Sequence, residues 1–251
     1  MMLYLIGLGL FDEKDVSVRG IETIKKCDSV YLERYTSPWR GNLGNLEKAT
    51  GKRIKEVARS DLEEKSKRIL EEAIKKDVAV LVPGDPLVAT THSALALEAK
   101  KIAMEVSVVH SSSVFSAVAE TGLHIYKFGR TATVAYPEEK FFPKTPYTVL
   151  GENKKNKSHT LLLLDVKAED NKFMTINEAV EILLEIEARE NENVFDNETF
   201  CVGIARLGGD TFIKTGKAKE LKKWDFGPPP HILVVPGELH FTEEEFLNLF
   251  L

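Results

Sequence analysis

A short apolar run closed by a rigid turn, at residues 78–86, constrains the fold more than any other feature of the chain. Val78 to Val82 form an unbroken apolar run, which is typical of a strand buried on both faces of a parallel sheet. Pro83 ends that strand because proline has no N–H to donate to a neighbouring strand. Gly84 and Asp85 therefore follow a strand end, where open α/β sheets bind ligands. A tight turn in which Asp85 bonds its own backbone explains the same residues equally well, so both interpretations stay open.

The first segment of the chain predicts a strand, a glycine turn and a helix. The apolar run from Leu3 to Leu8 leads through Gly7 and Gly9 to a helical pattern. The dinucleotide fingerprint GxGxxG is not present, because Asp12 stands at the third glycine position. What remains is a backbone that a ligand can approach closely at two positions that carry no Cβ.

Further apolar runs predict two successive α/β domains, which we place at residues 1–122 and 123–251 because the sequence changes character after Gly122. The first domain also has a strand followed by three serines, and those serines either cap the next helix or offer backbone donors to a ligand. Capping boxes are predicted at Ser60–Glu63, Thr175–Glu178 and Thr242–Glu245. The remaining predicted strands are Ser29–Leu32, Glu105–Val109, Thr131–Tyr136, Thr160–Val166, Thr199–Arg206, Phe212–Thr215 and Ile232–Val235.

Composition and missing motifs exclude several classes of protein. The 251 residues are 43% hydrophobic and 29% charged, as in soluble globular proteins, and the net charge of −5 gives no support for nucleic-acid binding. The sequence has no apolar run long enough to span a membrane and no signal-peptide pattern, so we expect a cytoplasmic protein. It contains no P-loop, no GxSxG and no HExxH, and Cys27 and Cys201 match no metal-ligand spacing. Reactions that need little side-chain chemistry, such as methyl transfer from a sulfonium, therefore remain alongside simple ligand binding.

Several motifs spread over the whole chain resemble one family, the diphthine synthases, which belong to the S-adenosylmethionine-dependent tetrapyrrole methylase superfamily. The shorter matches are a glycine turn and a Gly-Asp-Pro turn, and the longer ones are more specific. The motifs are Gly7–Leu10, Tyr35–Ser37, Pro83–His92, Tyr126–Arg130, Phe226–His231 and Pro236–His240.

This resemblance implies a homodimer with S-adenosylmethionine bound in a cleft between two α/β domains. Several of the implied contacts are apolar, which fits binding by backbone groups and by packing against the cofactor. Around Leu207 the sequence reads Leu-Gly-Gly where the family is expected to have Ala-Gly-Ser and a slightly longer loop. The cofactor contacts that the resemblance implies are Leu10, Asp85, Val88, Ser113, Val114, Leu164, Leu207 and His231.

The resemblance also implies the reaction, which is methylation of the amino group on the modified histidine of translation elongation factor 2. The product is diphthine, and the step belongs to diphthamide biosynthesis. For archaeal members the resemblance implies that this nitrogen is methylated three times. No residue is expected to act as a dedicated base, since burial lowers the pKa of an amine. Two alternatives stay open, a methylase of a small tetrapyrrole and a non-enzymatic ligand-binding protein. Phe141 and Phe142 are candidates for an interface, with core packing as the other explanation.

Overall fold

Two five-stranded sheets, each with its own helices, make up the protein. The structure is a computed structural model that describes residues 1–138 and 142–251, with the backbone alone for Glu169. The chain divides into two compact units, Met1–Phe115 (unit 1) and Ser116–Leu251 (unit 2), and we describe each by itself. The predicted α/β class with two successive units is confirmed, whereas the domain boundary after Gly122 stays a prediction.

The sheet of unit 1 is entirely parallel, in the order β3-β2-β4-β1-β5. Its strands are β1 (Met2–Gly7), β2 (Ser29–Glu33), β3 (Ile54–Val57), β4 (Val78–Val82) and β5 (Glu105–Val109). The helices of this part are α1 (Val18–Lys26), α2 (Leu43–Thr50), α3 (Arg59–Glu63), α4 (Ser66–Ala73), α5 (His92–Lys101) and α6 (Val114–Ala117), the last of which continues into unit 2.

The central strand β4 is buried on both faces, as its unbroken apolar run predicts. Ala79 and Leu81 pack into one hydrophobic cluster, while Val78, Val80 and Val82 pack into another. All of these side chains are inaccessible to solvent. Burial on both faces holds the strand in place, so the turn that follows it has a fixed starting point.

The sheet of unit 2 is mixed, in the order β11-β10-β12-β7-β6, with only β6 and β7 parallel to each other. Its strands are β6 (Ala132–Val134), β7 (Thr160–Leu164), β10 (Phe200–Ala205), β11 (Phe212–Lys217) and β12 (His231–Val235), and β8 (Val166–Lys167) pairs separately with β9 (Lys172–Phe173). The helices are α7 (Thr145–Lys155), α8 (Ile176–Glu190), α9 (Ala218–Leu221) and α10 (Phe241–Leu247).

One predicted capping box is confirmed and two are wrong. The box predicted at Ser60 is wrong because α3 begins earlier, with the Asp61 carboxylate accepting from the N–H of Ala58 at 3.0 Å. Thr175 caps α8, with its hydroxyl accepting from the N–H of Glu178 and the carboxylate of Glu178 accepting from the N–H of Thr175. In α10 the cap is His240 and the reciprocal carboxylate is Glu243, so the helix begins earlier than the Thr242 box predicts. The reason is tertiary, because Glu243 is fully buried and binds groups elsewhere in unit 2.

The aromatic pair proposed as an interface falls partly outside the described residues, since Phe141 is not among them. Phe142 packs against the hydrophobic core of unit 2, and the Arg189 guanidinium lies 3.9 Å from the centre of its ring. Core packing therefore accounts for Phe142. Over residues 1–138 and 142–251, no helix has the length and apolar content needed to cross a membrane.

Candidate functional site

Three loops meet at the carboxyl edge of the unit 1 sheet, because β1 lies between β4 and β5 and all three strands run the same way. The loops after β1 and β4 are joined by paired backbone hydrogen bonds. The N–H of Gly84 donates to the carbonyl of Gly9 at 2.7 Å, and the N–H of Gly9 donates to the carbonyl of Gly84 at 3.3 Å. The two glycine motifs that were separate in the sequence thus form one piece of backbone.

This close approach requires glycine at specific positions. A Cβ on Gly7 would lie 2.6 Å from the carbonyl oxygen of Gly84 and 2.7 Å from the Cβ of Ser111, which is closer than real atoms pack. Gly84 itself has a φ of +72°, a left-handed conformation that glycine adopts without strain. The nearest atom to a Cβ on Gly84 would be a backbone oxygen 4.0 Å away, so the turn presents open space on that side.

Asp85 connects the turn after β4 to the loop after β5. Its Oδ1 accepts from the N–H of Leu87 at 3.0 Å, which is the local turn contact that the sequence leaves open. Its Oδ2 accepts from the N–H of Ser111 at 3.2 Å and lies 2.8 Å from Nδ1 of His110. Asp85 is only 5% exposed, whereas the His110 side chain is largely in solvent. The carboxylate therefore serves both the turn and the contact between loops.

Five of the predicted cofactor contacts lie in these three loops. The loop after β1 carries one of them, the turn after β4 carries two, and the segment after β5 carries two. The N–H of Val88 donates to the carbonyl of Asp85 at 3.3 Å, and Ser113 is buried at the start of α6. The structure thus brings together Leu10, Asp85, Val88, Ser113 and Val114.

The other three predicted contacts lie together at one edge of the unit 2 sheet. Leu164 ends β7, and antiparallel pairing places the first residue of β12, His231, beside the end of β10, with Ile232 opposite Leu163. Leu207 lies two residues after the end of β10 and is buried. The loop with the unusual Leu-Gly-Gly sequence therefore still delivers an apolar side chain to this edge.

His231 has an unsatisfied nitrogen at this edge. Its Nε2 lies 3.1 Å from the carbonyl of Gly227, whereas its Nδ1 is buried and has no partner among the residues that the structure describes. Burial lowers the pKa of His231, so the ring is neutral. With Nε2 donating to Gly227, Nδ1 carries a lone pair that can accept a hydrogen bond from a ligand.

Arg206 fixes the segment that leads to His231. Its backbone N–H donates to the carbonyl of Pro230 at 2.8 Å, and its guanidinium donates to the carbonyls of Phe226 at 2.7 Å and Pro228 at 2.8 Å. Arg206 adopts a φ of +56°, which is uncommon for a residue with a side chain. In the sequence, the only indication that Arg206 holds this segment was its position at the end of the predicted strand Thr199–Arg206.

A buried carboxylate lies at the end of β2, and it was not predicted from the sequence as part of a site. Glu33 is inaccessible to solvent, and burial raises its pKa to about 7. It accepts hydrogen bonds from the N–H groups of Tyr35 and Thr36 and from the Thr36 hydroxyl. His92, which is 1% exposed, places Nε2 at 4.0 Å from Oε1 of Glu33. The indication available in the sequence was a carboxylate directly after the predicted strand Ser29–Leu32.

A second buried carboxylate organises unit 2. Glu243 accepts from the N–H groups of His124 and His240, each at 2.7 Å, and from the ammonium of Lys127. Nε2 of His159 lies 3.0 Å from its Oε1. These hydrogen bonds and the charge of Lys127 outweigh burial and lower the pKa of Glu243 to about 2. The motifs at Tyr126–Arg130 and Pro236–His240, far apart in sequence, meet at this group.

Each edge, taken by itself, offers groups that suit a polar organic ligand. Within the described part of the chain, no group of three or more His, Cys, Asp or Glu side chains is placed to hold a metal ion. In unit 1 the open side of Gly84 leaves room for a ligand. In unit 2 the unpaired Nδ1 of His231 can accept a hydrogen bond from a ligand. S-adenosylmethionine has the amino and hydroxyl groups for such contacts.

The chain is similar to tetrapyrrole methylases and, among them, to diphthine synthases. Residues 2–220 match the family model described as Tetrapyrrole (Corrin/Porphyrin) Methylases. The chain is 44% identical to the diphthine synthase of Methanocaldococcus jannaschii, with 98% of each chain covered. It is also 44% identical to the diphthine synthase of Methanothermobacter thermautotrophicus, covering 98% of this chain and 94% of the relative. A crystal structure of a diphthine synthase superposes with a TM-score of 0.91 at 43% identity, covering 100% of this chain and 96% of the other.

Proposed function

Because this chain belongs to the tetrapyrrole methylase family, and within it to the diphthine synthases, we propose that it methylates the amino group of the modified histidine of translation elongation factor 2 to give diphthine. It is an S-adenosylmethionine-dependent methyltransferase of the diphthamide pathway. The observation that carries this proposal is identity of 44% over almost the full length of a diphthine synthase, with the glycine and Asp85 loops intact.

When bound, S-adenosylmethionine would supply an activated methyl group, so that the lone pair of the substrate amine could form the N–C bond while the C–S bond electrons pass to sulfur. In this proposal the carboxyl-edge loops of unit 1 supply cofactor contacts, and a second set of contacts is proposed at the His231 edge of unit 2. Asp85 acts there as a binding and positioning group, since both of its oxygens are already occupied by turn and loop donors. The proposed contacts are Leu10, Asp85, Val88, Ser113, Val114, Leu164, Leu207 and His231.

The protein's contribution to the rate is mainly positioning. Holding two reactants in line can supply about 7–11 kcal/mol of the barrier in favourable cases. The attacking amine must also be neutral, and partial burial against the loops lowers its pKa toward that state. We propose that the enzyme works as a homodimer on a protein substrate. Sedimentation of the free protein tests the dimer, and sedimentation of its mixture with elongation factor 2 tests the interaction with the substrate.

The direct experiment uses labelled S-adenosylmethionine and elongation factor 2 that carries the unmethylated intermediate. Label transferred to the factor, and mapped by mass spectrometry to the modified histidine, supports the proposal. Transfer to a tetrapyrrole but not to the factor would favour the small-molecule alternative instead. That alternative is not favoured, because the similarity to diphthine synthases extends over the whole chain and not only over the methylase core.

A further inference from the structure

A row of polar groups in unit 1 leads from the partly exposed Thr36 to the buried interior. The Thr36 hydroxyl donates a hydrogen bond to Oε1 of Glu33. Oε1 in turn faces Nε2 of His92 at 4.0 Å. Glu33 and His92 are both almost completely buried, so the row has one accessible end, at Thr36.

His92 lacks the hydrogen bonds that a buried imidazole normally makes. Neither ring nitrogen has a partner among the described residues, although a neutral ring carries one N–H and one lone pair. Oε2 of Glu33 is occupied by the N–H groups of Tyr35 and Thr36, which leaves Oε1 as the oxygen that faces the ring. A separation of 4.0 Å suits a bridging water or a small shift that lets a protonated carboxyl donate to Nε2.

The charges around the row favour one exchangeable proton near neutral pH. Burial raises the pKa of Glu33 to about 7 and lowers the pKa of His92 to about 4, so the imidazole is neutral while the carboxyl exchanges its proton. Other ionisable groups that interact with this row are Tyr35 on the same loop and the pair Arg59 and Glu63 from α3, joined at 2.8 Å. The negative charge of Glu63 opposes the lowering at His92 without cancelling it.

The row also lies beside the carboxyl-edge loops of unit 1, which are proposed to contact the methyl donor. In the sheet, β2 pairs directly with β4, with Leu32 opposite Leu81. Glu33 therefore ends a strand adjacent to the one that leads into Gly84 and Asp85, and His92 begins the helix that follows the same loop. Thr36 and His92 belong to the Tyr35–Ser37 and Pro83–His92 motifs, and neither residue is among the proposed cofactor contacts.

We propose that Thr36, Glu33 and His92 form a proton relay that frees the substrate amine for each successive methylation, an inference that rests on the proposed function. Each transfer before the last leaves the nitrogen as an ammonium with an N–H, which must lose a proton before its lone pair can attack again. The nitrogen gives that proton to the Thr36 oxygen, while the Thr36 hydroxyl proton passes to the carboxylate of Glu33. The ammonium and carboxylate become an amine and a carboxylic acid, so charge and protons balance.

His92 is a positioning residue in this relay. Its neutral ring offers Nε2 as an acceptor for the carboxylic acid of Glu33, so the protonated carboxyl has a partner in the interior. Return of the proton through Thr36 to solvent resets the relay. Proton transfer by such groups is most effective when the pKa of the acceptor is near the working pH.

Variants Glu33→Gln and Thr36→Val test the relay, with Glu56→Gln on the exposed face of β3 as the matched control. The rate of each methylation is followed by mass spectrometry of elongation factor 2 across pH. Near pH 6.5 we expect both variants to accumulate partly methylated factor, with later transfers slowed about tenfold or more. At high pH, where the amine loses its proton to solvent, the rates should approach that of the wild type.

Infrared difference spectroscopy gives a readout that needs no substrate. We expect a protonated carboxyl stretch that titrates near neutral pH in the wild type and in Glu56→Gln, and that is absent in Glu33→Gln. An unchanged pH profile in Glu33→Gln, or the lack of such a titration in the wild type, overturns the relay while the methyltransferase proposal stands. If the wild type itself transfers no methyl group to the factor, both proposals fall.

Discussion

Nδ1 of His110 lies 2.8 Å from Oδ2 of Asp85, and this contact joins the loops that follow β5 and β4. The same oxygen accepts from the backbone of Ser111, so one carboxylate fixes two neighbouring strand ends. The proposed cofactor edge of unit 1 therefore depends on a residue that also shapes its own turn.

The Asp85→Asn variant should bind S-adenosylmethionine about tenfold more weakly, which corresponds to ~1.4 kcal/mol. The amide keeps the size of the side chain but removes the charge that strengthens its hydrogen bonds from Ser111 and His110. Isothermal titration calorimetry measures the change. Glu105→Gln, at the opposite edge of the same sheet, is the control and should bind normally. Equal affinity of Asp85→Asn and the wild type would remove Asp85 from the proposed site.

Gly84→Ala and Gly51→Ala separate conformational strain from ligand contact. Both glycines have positive φ, +72° and +67°, and a Cβ has room at each position. We expect a similar loss of stability in thermal denaturation, about 1–2 kcal/mol, since both variants place a Cβ in the left-handed region. Only Gly84→Ala should also weaken cofactor binding, because its methyl group points into the open side of the turn. If the two variants bind equally well, the cofactor does not approach Gly84.

Glu243→Ala should destabilise the protein by about 3–5 kcal/mol, because it leaves Lys127 and His159 without their buried partner. Urea denaturation measures the loss, and Glu245→Ala on the exposed face of α10 is the control. The pH dependence has a definite sign. The folded-state pKa of Glu243 is lowered to about 2, so its contribution is present above the ordinary value of 4.5 and disappears as the pH falls toward 2. A loss in Glu243→Ala that does not shrink at acid pH would contradict this assignment.

Glu33 should give the stability of the protein the opposite pH dependence to that of Glu243. Its folded-state pKa is raised from 4.5 to about 7, so the folded protein binds the proton more tightly and loses stability as the pH rises through that interval. A shift of this size corresponds to ~3 kcal/mol. The stability of the wild type relative to Glu33→Gln should fall by roughly that amount between pH 4.5 and pH 7. Chemical denaturation at several pH values checks it, and a difference that is constant with pH would show that Glu33 titrates normally.

Local sequence determined the elements that carry the site. The unbroken apolar run from Val78 to Val82 predicted a strand buried on both faces, and Pro83 and Gly84 predicted where it ends. The glycine turn after β1 and the capping box at Thr175 were predicted for the same reason. Each depends on interactions between residues a few positions apart, so the sequence specifies them directly. The motifs spread along the chain then indicated the family and the methyl donor.

Tertiary structure alone decided which strand ends meet and which polar groups are buried together. The pairing of Asp85 with His110, the approach of His92 to Glu33 and the cluster around Glu243 all join residues that are distant in the sequence. The cap of α10 moved to His240 because burial of Glu243 with Lys127 and His159 outweighed the local preference for Thr242. Such arrangements are set by the order of strands in the sheets and by the cost of leaving a buried charge unpaired, and neither quantity can be read from a local pattern.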